Sequence, residues 1–315
     1  MIKDKILLIG GSGFIGSNYL NYFANYYGES QTELIVLSRF KRERVINCKN
    51  IRYIEGDYAN FDFLNALFKE QCFSKVFHFA STTVPVSSNQ QMIVDVQDNL
   101  VASINLLDVM KLRSCNFILY LSSGGAVYGE FAHENLNELH PCLPISSYGI
   151  IKLTIEQYIK LYHKQNGLNY LILRLSNPYG MFHTSEKQGV INIAVRKALK
   201  NETFKVWGNG NQSKDYIYVE DLIEIIAALI DMNVENEIIN VGSGISVSLN
   251  FIIKKIRDII PSFKVEYGLY EPSDIREFCL DISKLNQFIK IELTPFEKAL
   301  SKTIEWEKMI KTAIY

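Results

Sequence analysis

The chain has few of the features that mark secreted, metal-stapled or membrane proteins. Its five cysteines (Cys48, Cys72, Cys115, Cys142 and Cys279) are scattered and contain no CxxC pair. That pattern argues against both a disulfide framework and a zinc site. His133, His140 and His183 stand alone without ligand spacing, and a surface or loop role is expected for them; no metal is expected. No stretch approaches the ~18 apolar residues of a membrane helix. The first apolar run, starting at Ile6, meets a glycine after four residues. It is too short for the core of a signal peptide, so a cytoplasmic protein is expected. Charge of either sign is not in excess: 33 Lys and Arg face 34 Asp and Glu, for a net charge of -1. Such a chain has no global field to attract nucleic acid or an anionic membrane, although a local phosphate pocket is compatible with it. Glycine and proline are not enriched, which argues against disorder.

What is present is ordinary globular composition, with 48% hydrophobic and 21% charged residues over 315 positions. The length suits one large or two small domains. Short apolar runs at Ile6–Ile9, Leu34–Leu37, Val76–Phe79, Phe117–Leu121 and Tyr170–Leu173 read as buried strands. Helical patterns at Phe14–Tyr26, Phe61–Phe68, Val94–Met110 and Ser147–Gln165 separate them. Fully apolar strands alternating with helices predict an α/β chain, a Rossmann-type doubly wound parallel sheet covered on both faces. The last third is less regular. It has helices at Ile191–Lys200, Leu222–Met232 and Pro295–Ile310, and short strands at Ile238–Val241, Val265–Tyr267 and near Phe278–Leu280. A smaller C-terminal α/β substrate lobe is expected there. The boundaries are 1–175 for the first domain, with about 205–245 returning to it, and 176–315 mainly for the second.

The run Ile6-Leu7-Leu8-Ile9 leads into Gly10-Gly11-Ser12-Gly13-Phe14-Ile15-Gly16. A GxxGxxG between a strand and a helix fits a dinucleotide site. The first glycine permits a tight turn, the second a close approach to a pyrophosphate, and the third close helix–strand packing. The helix N-terminus offers unpaired N–H groups to the phosphates. The second strand ends at Ser38-Arg39, with Lys41 and Arg42 nearby, where NAD sites usually carry an acid for the ribose 2′-hydroxyl. A hydroxyl and a guanidinium suit a 2′-phosphate, which favours NADP(H), with NAD(H) possible. The bland alternative is a solvated basic loop.

Two further segments bear on chemistry. Ser122-Ser123-Gly124-Gly125-Ala126-Val127-Tyr128-Gly129 follows the strand at Phe117. Tyr148 and Lys152 are four residues apart and share a helical face. A free tyrosine has a pKa near ~10. A neighbouring ammonium favours the phenolate and is expected to lower that value, so that the pair can exchange a proton with a sugar hydroxyl or carbonyl while hydride moves.

With these motifs the chain resembles the extended short-chain dehydrogenases/reductases, the group of nucleotide-sugar epimerases, dehydratases and 4-ketoreductases, over nearly its whole length. The resemblance implies a nicotinamide dinucleotide held by Gly10, Gly13, Phe14, Ile15, Gly16, Ser38, Arg39, Arg42, Asp57, Tyr58, Phe79, Ala80, Ser81 and Asn99, with Tyr148 and Lys152. It implies a catalytic set of Ser123, Tyr148 and Lys152. It implies a nucleotide-sugar substrate contacted by Ser122, Ser123, Gly124, Asn177, Val190, Trp207, Lys214 and Arg276. It also implies a homodimer, with no nucleic-acid or membrane partner.

The match departs in three places. Aligned on Val127-Tyr128-Gly129, the usual catalytic Ser or Thr falls on Gly124, one place after Ser123. The Asp-Glu pair of the 4,6-dehydratases is replaced by Gly125 and Ala126, which argues against elimination of water. Lys214 replaces an arginine and Glu271 replaces another, with Arg276 nearby to compensate. The function expected is an NADPH-dependent 4-ketoreductase of a nucleotide-activated (6-deoxy)hexose. A nucleotide-sugar 4-epimerase is the alternative, and a non-catalytic dinucleotide-binding regulator is the reading from another class.

Overall fold

The computed structural model describes residues 4–39, 45–83, 88–130, 135–269 and 277–313. The strands in chain order are β1 (Lys5–Ile9), β2 (Glu33–Ser38), β3 (Ile51–Glu55), β4 (Lys75–His78), β5 (Phe117–Ser123), β6 (Asn169–Leu175), β7 (Asn177–Tyr179), β8 (Phe204–Trp207), β9 (Ser213–Tyr218), β10 (Glu237–Val241), β11 (Ser246–Ser248), β12 (Val265–Gly268) and β13 (Glu277–Phe278). Two compact units emerge. The first comprises Met1–Val127, Pro144–Arg174 and Ile230–Ile239, and the second Tyr128–Leu143, Leu175–Leu229 and Asn240–Tyr315. Of the stretch 205–245, only Ile230–Ile239 joins the first unit.

The first unit carries a seven-stranded sheet in the order β3-β2-β1-β4-β5-β6-β10. Strands β3, β2, β1, β4 and β5 pair in parallel. The order reverses between β1 and β4, and in doubly wound sheets ligands settle beyond the strand ends at that point. The apolar runs become strands because both faces are covered: Leu7, Leu8, Leu34, Ile35, Val36, Val76 and Phe77 have no exposed surface. On one face Leu64, Phe68, Leu106, Leu107, Ile151, Ile155 and Ile159 pack onto Leu7, Ile9, Ile35, Ile118 and Tyr120. These helical residues come from Phe61–Gln71, Ala102–Leu112 and Ser147–Asn166.

The helix Ser147–Asn166 has clear local causes. The Ser146 side chain caps it by accepting from the Gly149 amide, and Gly167 closes it in the left-handed region at φ 69°. Such polar N-caps and glycine stops satisfy the backbone groups that helix ends leave open. The pattern Val94–Met110 is not one uniform helix. It opens as Met92–Asp95, widens to a π-helical turn at Val96–Val101 and continues as Ala102–Leu112. Single π turns within helices are frequent at functional sites.

In the second unit β9 is the organising strand. It pairs with β7 and β13 in parallel and with β11 antiparallel, while β8 and β12 form a separate parallel pair. The helix Leu249–Ile259 lies outside the elements expected from the sequence, although Leu249, Ile252, Ile253 and Ile256 bury one face of it at helical spacing. No helix among the described residues is long and apolar enough to cross a membrane.

Candidate active site and dinucleotide cradle

The glycine loop is shaped by contacts that exclude side chains. Gly10 has φ +84°, and a Cβ there would lie 2.5 Å from the Ala80 nitrogen. A Cβ on Gly16 would lie 2.4 Å from the Gly10 carbonyl oxygen and 2.5 Å from the Gly11 Cα. The loop is thereby pressed against the end of β4 on one side and the start of the helix Phe14–Tyr26 on the other. That helix begins at Gly13 with no side-chain cap and no acid in its first turn. Open N–H groups and the positive end of the helix dipole face the same end of the sheet, which fits a pyrophosphate. The residues fit a dinucleotide on this count. Phe14 and Ile15 open the helix half-buried, and Gly16 is buried.

At the end of β2, Ser38 is half-buried, and its hydroxyl lies 2.9 Å from that of Ser12 in the glycine loop. Arg39 is exposed. Arg42 and Arg276 lie outside the described residues. Asp57 is exposed and accepts from the Ala59 amide, whereas Tyr58 is buried and donates to the Asp98 carbonyl. Phe79 packs edge-on against Tyr19 at 5.7 Å. Ser81 is exposed and donates to the Thr83 carbonyl. Asn99 sits in the π turn, where its Oδ1 accepts from the Thr82 amide and its Nδ2 donates to the Thr82 hydroxyl and to Asp95. It braces the loop after β4.

Tyr148 and Lys152 meet as their spacing predicts. The Lys152 Nζ lies 5.7 Å from the centre of the Tyr148 ring and 4.8 Å from that of Tyr120, and it donates to the Leu121 carbonyl at 2.8 Å. Ser123, at the end of β5, acts on the Tyr148 phenol in the sense that favours its phenolate. The one-place offset from the family pattern therefore leaves a serine hydroxyl beside the tyrosine.

The expected lowering of the Tyr148 pKa is reversed in the protein. Burial raises it to about 12, and Ser123 only partly opposes this. Loss of solvent penalises the phenolate more than its neighbours favour it. Burial also lowers Lys152 to about 8, against the pull of Glu156 and Asp95.

Ser122, assigned to the nucleotide sugar by the resemblance, is turned inward. It is buried and donates its hydroxyl to Glu156. Glu156 is fully buried and also holds Arg174, with Nη2 to Oε2 at 2.7 Å. A carboxylate without solvent needs such donors, and Ser122 is one of them. Glu156, Asp95 and Thr82 lie outside the motifs read from the sequence, and Ser12 and Arg174, which lie within them, were given no role of their own. A signal existed for two of them: Glu156 is four residues beyond Lys152, and Arg174 is a charge inside an apolar strand run, which demands a buried partner.

In the second unit, Asn177 donates to the Asp215 carbonyl at 2.8 Å, and Lys214 precedes that residue on β9. Asp215 is fully buried and accepts from the amides of Ser243, Gly244 and Leu280. It ties β9 to the turn after β10 and to the segment that follows β13. Trp207 is half exposed, and Val190 opens the helix Val190–Leu199. Phe182 sits 5.7 Å from Trp306 as a packing residue. His183, expected at the surface or in a loop, lies in a loop but is buried. Its ring covers Gly189, and burial lowers its pKa to about 4.

The model of the NAD-dependent epimerase/dehydratase family matches residues 6–242. A protein of Methanocaldococcus jannaschii described as a putative UDP-glucose 4-epimerase is 32% identical over 310 residues, which is 96% of this chain and 98% of that protein. The dTDP-4-dehydro-6-deoxyglucose reductase of Escherichia coli is 28% identical over 262 residues, 81% of each chain. The crystal structure of UDP-glucose 4-epimerase from Thermotoga maritima, with UDP-glucose, superposes with a TM-score of 0.90 at 27% identity, covering 99% of this chain and 100% of that one.

Proposed function

Because the chain belongs to the NAD-dependent epimerase/dehydratase family, we propose that it oxidises and re-reduces C4 of a nucleotide-activated hexose, as a nucleotide-sugar 4-epimerase. The observation that carries this reading is the Lys152 ammonium 5.7 Å from the centre of the Tyr148 ring, with Ser123 acting on the same phenol. Similarity to 4-epimerases over nearly the full length of the chain ranks epimerisation above the ketoreductase expected from the sequence.

The nicotinamide, when bound, supplies the hydride acceptor and donor. The protein's residues handle the proton. Tyr148 takes the O4 proton as C4 is oxidised and gives it back as C4 is reduced on the opposite face, so the cycle is redox-neutral. With a pKa of about 12, Tyr148 rests protonated at neutral pH and must release that proton to solvent before it can take the one from O4. The positive charge of Lys152 offsets the cost of the phenolate so formed. Ser123 holds the sugar oxygen within reach of the phenol. Asn177, Val190, Trp207 and Lys214, with Gly124 and Arg276, are assigned to the nucleotide sugar.

The second reading is a 4-ketoreductase that consumes NADPH. What favours it is the end of β2, where Ser38, Ser12 and Arg39 stand in place of an acid. A reductase must exchange its cofactor, and a site accepting a 2′-phosphate draws on the reducing pool. Incubation with UDP- and dTDP-hexoses and with their 4-keto-6-deoxy derivatives, with and without NADPH, separates the two by NMR. Interconversion of C4 epimers without net NAD(P)H loss is the expected result. Stoichiometric NADPH consumption with a 4-keto sugar makes the enzyme a reductase, and inertness toward every sugar nucleotide defeats both readings.

A further inference from the structure

The first unit buries four charged side chains around the candidate centre: Asp95, Lys152, Glu156 and Arg174. Glu156 and Arg174 neutralise each other in direct contact. Lys152 has no carboxylate at ion-pair distance among the described residues; its ammonium is held by the Leu121 carbonyl and the rings of Tyr120 and Tyr148. Asp95 is likewise without a cation. Among the described residues its carboxylate accepts only from neutral donors, the Thr83 hydroxyl at 2.6 Å, the Ser147 hydroxyl at 2.8 Å and the Asn99 amide at 2.9 Å. Asp95, Lys152 and Tyr148 line one small cavity of about 10 Å³, together with His78, Asn99 and Ser103. Such a space holds about one water.

We propose that Asp95 is the counter-ion of Lys152, acting across the cavity they share, and that it positions the start of the Tyr148 helix through Ser147. An isolated buried ion is far more costly than one facing an opposite charge. Removing Glu156 and Arg174 from the balance as a pair leaves one buried cation and one buried anion on the same void. Glu156 and then Asp95 raise the pKa of Lys152, and Asp95 also raises that of Tyr148. The other groups facing Lys152 are Glu156 and Tyr148 on its own helix, Tyr120 on β5 and His78 on β4, with Arg174 on β6 behind Glu156. His78 is held neutral, its pKa lowered to about 3 by burial and then by Lys152 itself.

The role as counter-ion stands independently of the C4 reaction, which enters only through a kinetic arm. The direct test is an NMR titration of lysine Cε in isotopically labelled protein, with the Lys152 signal assigned by its loss in Lys152→Met. Wild type is expected to show a lysine titrating at about 8. In Asp95→Asn and in the smaller neutral variant Asp95→Ser, it is expected to move down by about half a unit or more, because an anion favouring the ammonium is gone. Asp95→Glu is expected to restore it. If the wild type is a 4-epimerase, both limbs of its kcat/KM profile shift to lower pH in Asp95→Asn. A merely structural residue would lower the amplitude and leave the limbs in place. A folded neutral variant whose Lys152 titrates as in the wild type overturns the proposal, even if the enzyme is an epimerase. A shifted Lys152 in a protein inert toward sugar nucleotides upholds it while the proposed function fails.

Discussion

Arg174 on β6 and Glu156 on the helix Ser147–Asn166 form a buried ion pair, Nη2 to Oε2 at 2.7 Å, with both side chains nearly or wholly without solvent. Breaking one side strands the other charge. Arg174→Met or Glu156→Leu alone is expected to destabilise the fold by about 3–5 kcal/mol. The double variant is expected to recover most of that loss, since two apolar groups replace two compensated ions. Urea unfolding of the three proteins measures it, and additive losses in the double variant would contradict the pairing.

Tyr148→Phe removes the phenol hydroxyl beside Lys152 that is proposed to exchange the O4 proton. Turnover is expected to fall by about 10²–10⁴-fold, the usual range for loss of a positioned acid–base group, with the thermal midpoint little changed. Retention of more than a tenth of wild-type kcat would remove Tyr148 from the proton transfer.

Lys152 is a buried base whose pKa falls from an ordinary 10.5 to about 8 on folding. The unfolded chain therefore binds more protons than the native one between these values, and stability rises with pH across that window. Below about 8 the charged form is present and its burial opposes folding. Lys152→Met is expected to be inactive yet more stable than wild type at pH 7, with the difference shrinking as pH rises from 8 to 10.5. Thermal midpoints at pH 7 and pH 10 test this; a gap that widens with pH refutes it.

Gly10→Ala is expected to abolish dinucleotide binding, because its left-handed backbone and a contact of 2.5 Å with the Ala80 nitrogen leave no room for a methyl group. Calorimetric titration with NAD and NADP measures the loss. The same titration on Ser38→Asp tests the 2′-phosphate reading: NADP affinity is expected to fall at least about tenfold through charge repulsion, with NAD gaining or unchanged. Equal effects on both would leave Ser38 without a role in discrimination.

Met92, Ile93, Val96, Val101 and Ile150 are exposed apolar residues on the two helical segments that flank the candidate centre. The homodimer implied by the family resemblance is proposed to cover this face, since exposed apolar clusters of this kind mark interaction surfaces. Sedimentation analysis is expected to give a dimer for wild type and a monomer for Ile93→Asp/Val101→Asp. A monomeric wild type would dismiss the proposal.

Much of the first unit was legible from local pattern. The run Ile6–Ile9 and the helix Phe14–Tyr26 follow from a fully apolar strand, a glycine turn and helical periodicity, all carried by residues near each other in the chain. Tyr148 and Lys152 were legible for the same reason, because four residues of helix bring them to one face without help from the rest of the protein. Strand β3 was missed because the charged Arg52 and Glu55 break up its apolar residues and only Ile51 among the five is buried. β7 and β11 were missed because each has only three residues and exists through pairing with β9.

By itself, then, the amino-acid order determined the glycine loop, the alternation of strands and helices and the Tyr-Lys pair, all features set by short-range geometry. The tertiary structure alone decided the rest. Burial raised the Tyr148 pKa where its lysine neighbour was expected to lower it. Ser122 was turned to Glu156, and Asp95 was set on the cavity that Lys152 lines. Each of these depends on desolvation or on partners between 34 and 57 positions apart in the chain, such as Ser122 with Glu156 and Asp95 with Lys152. No local pattern encodes how much water such groups lose.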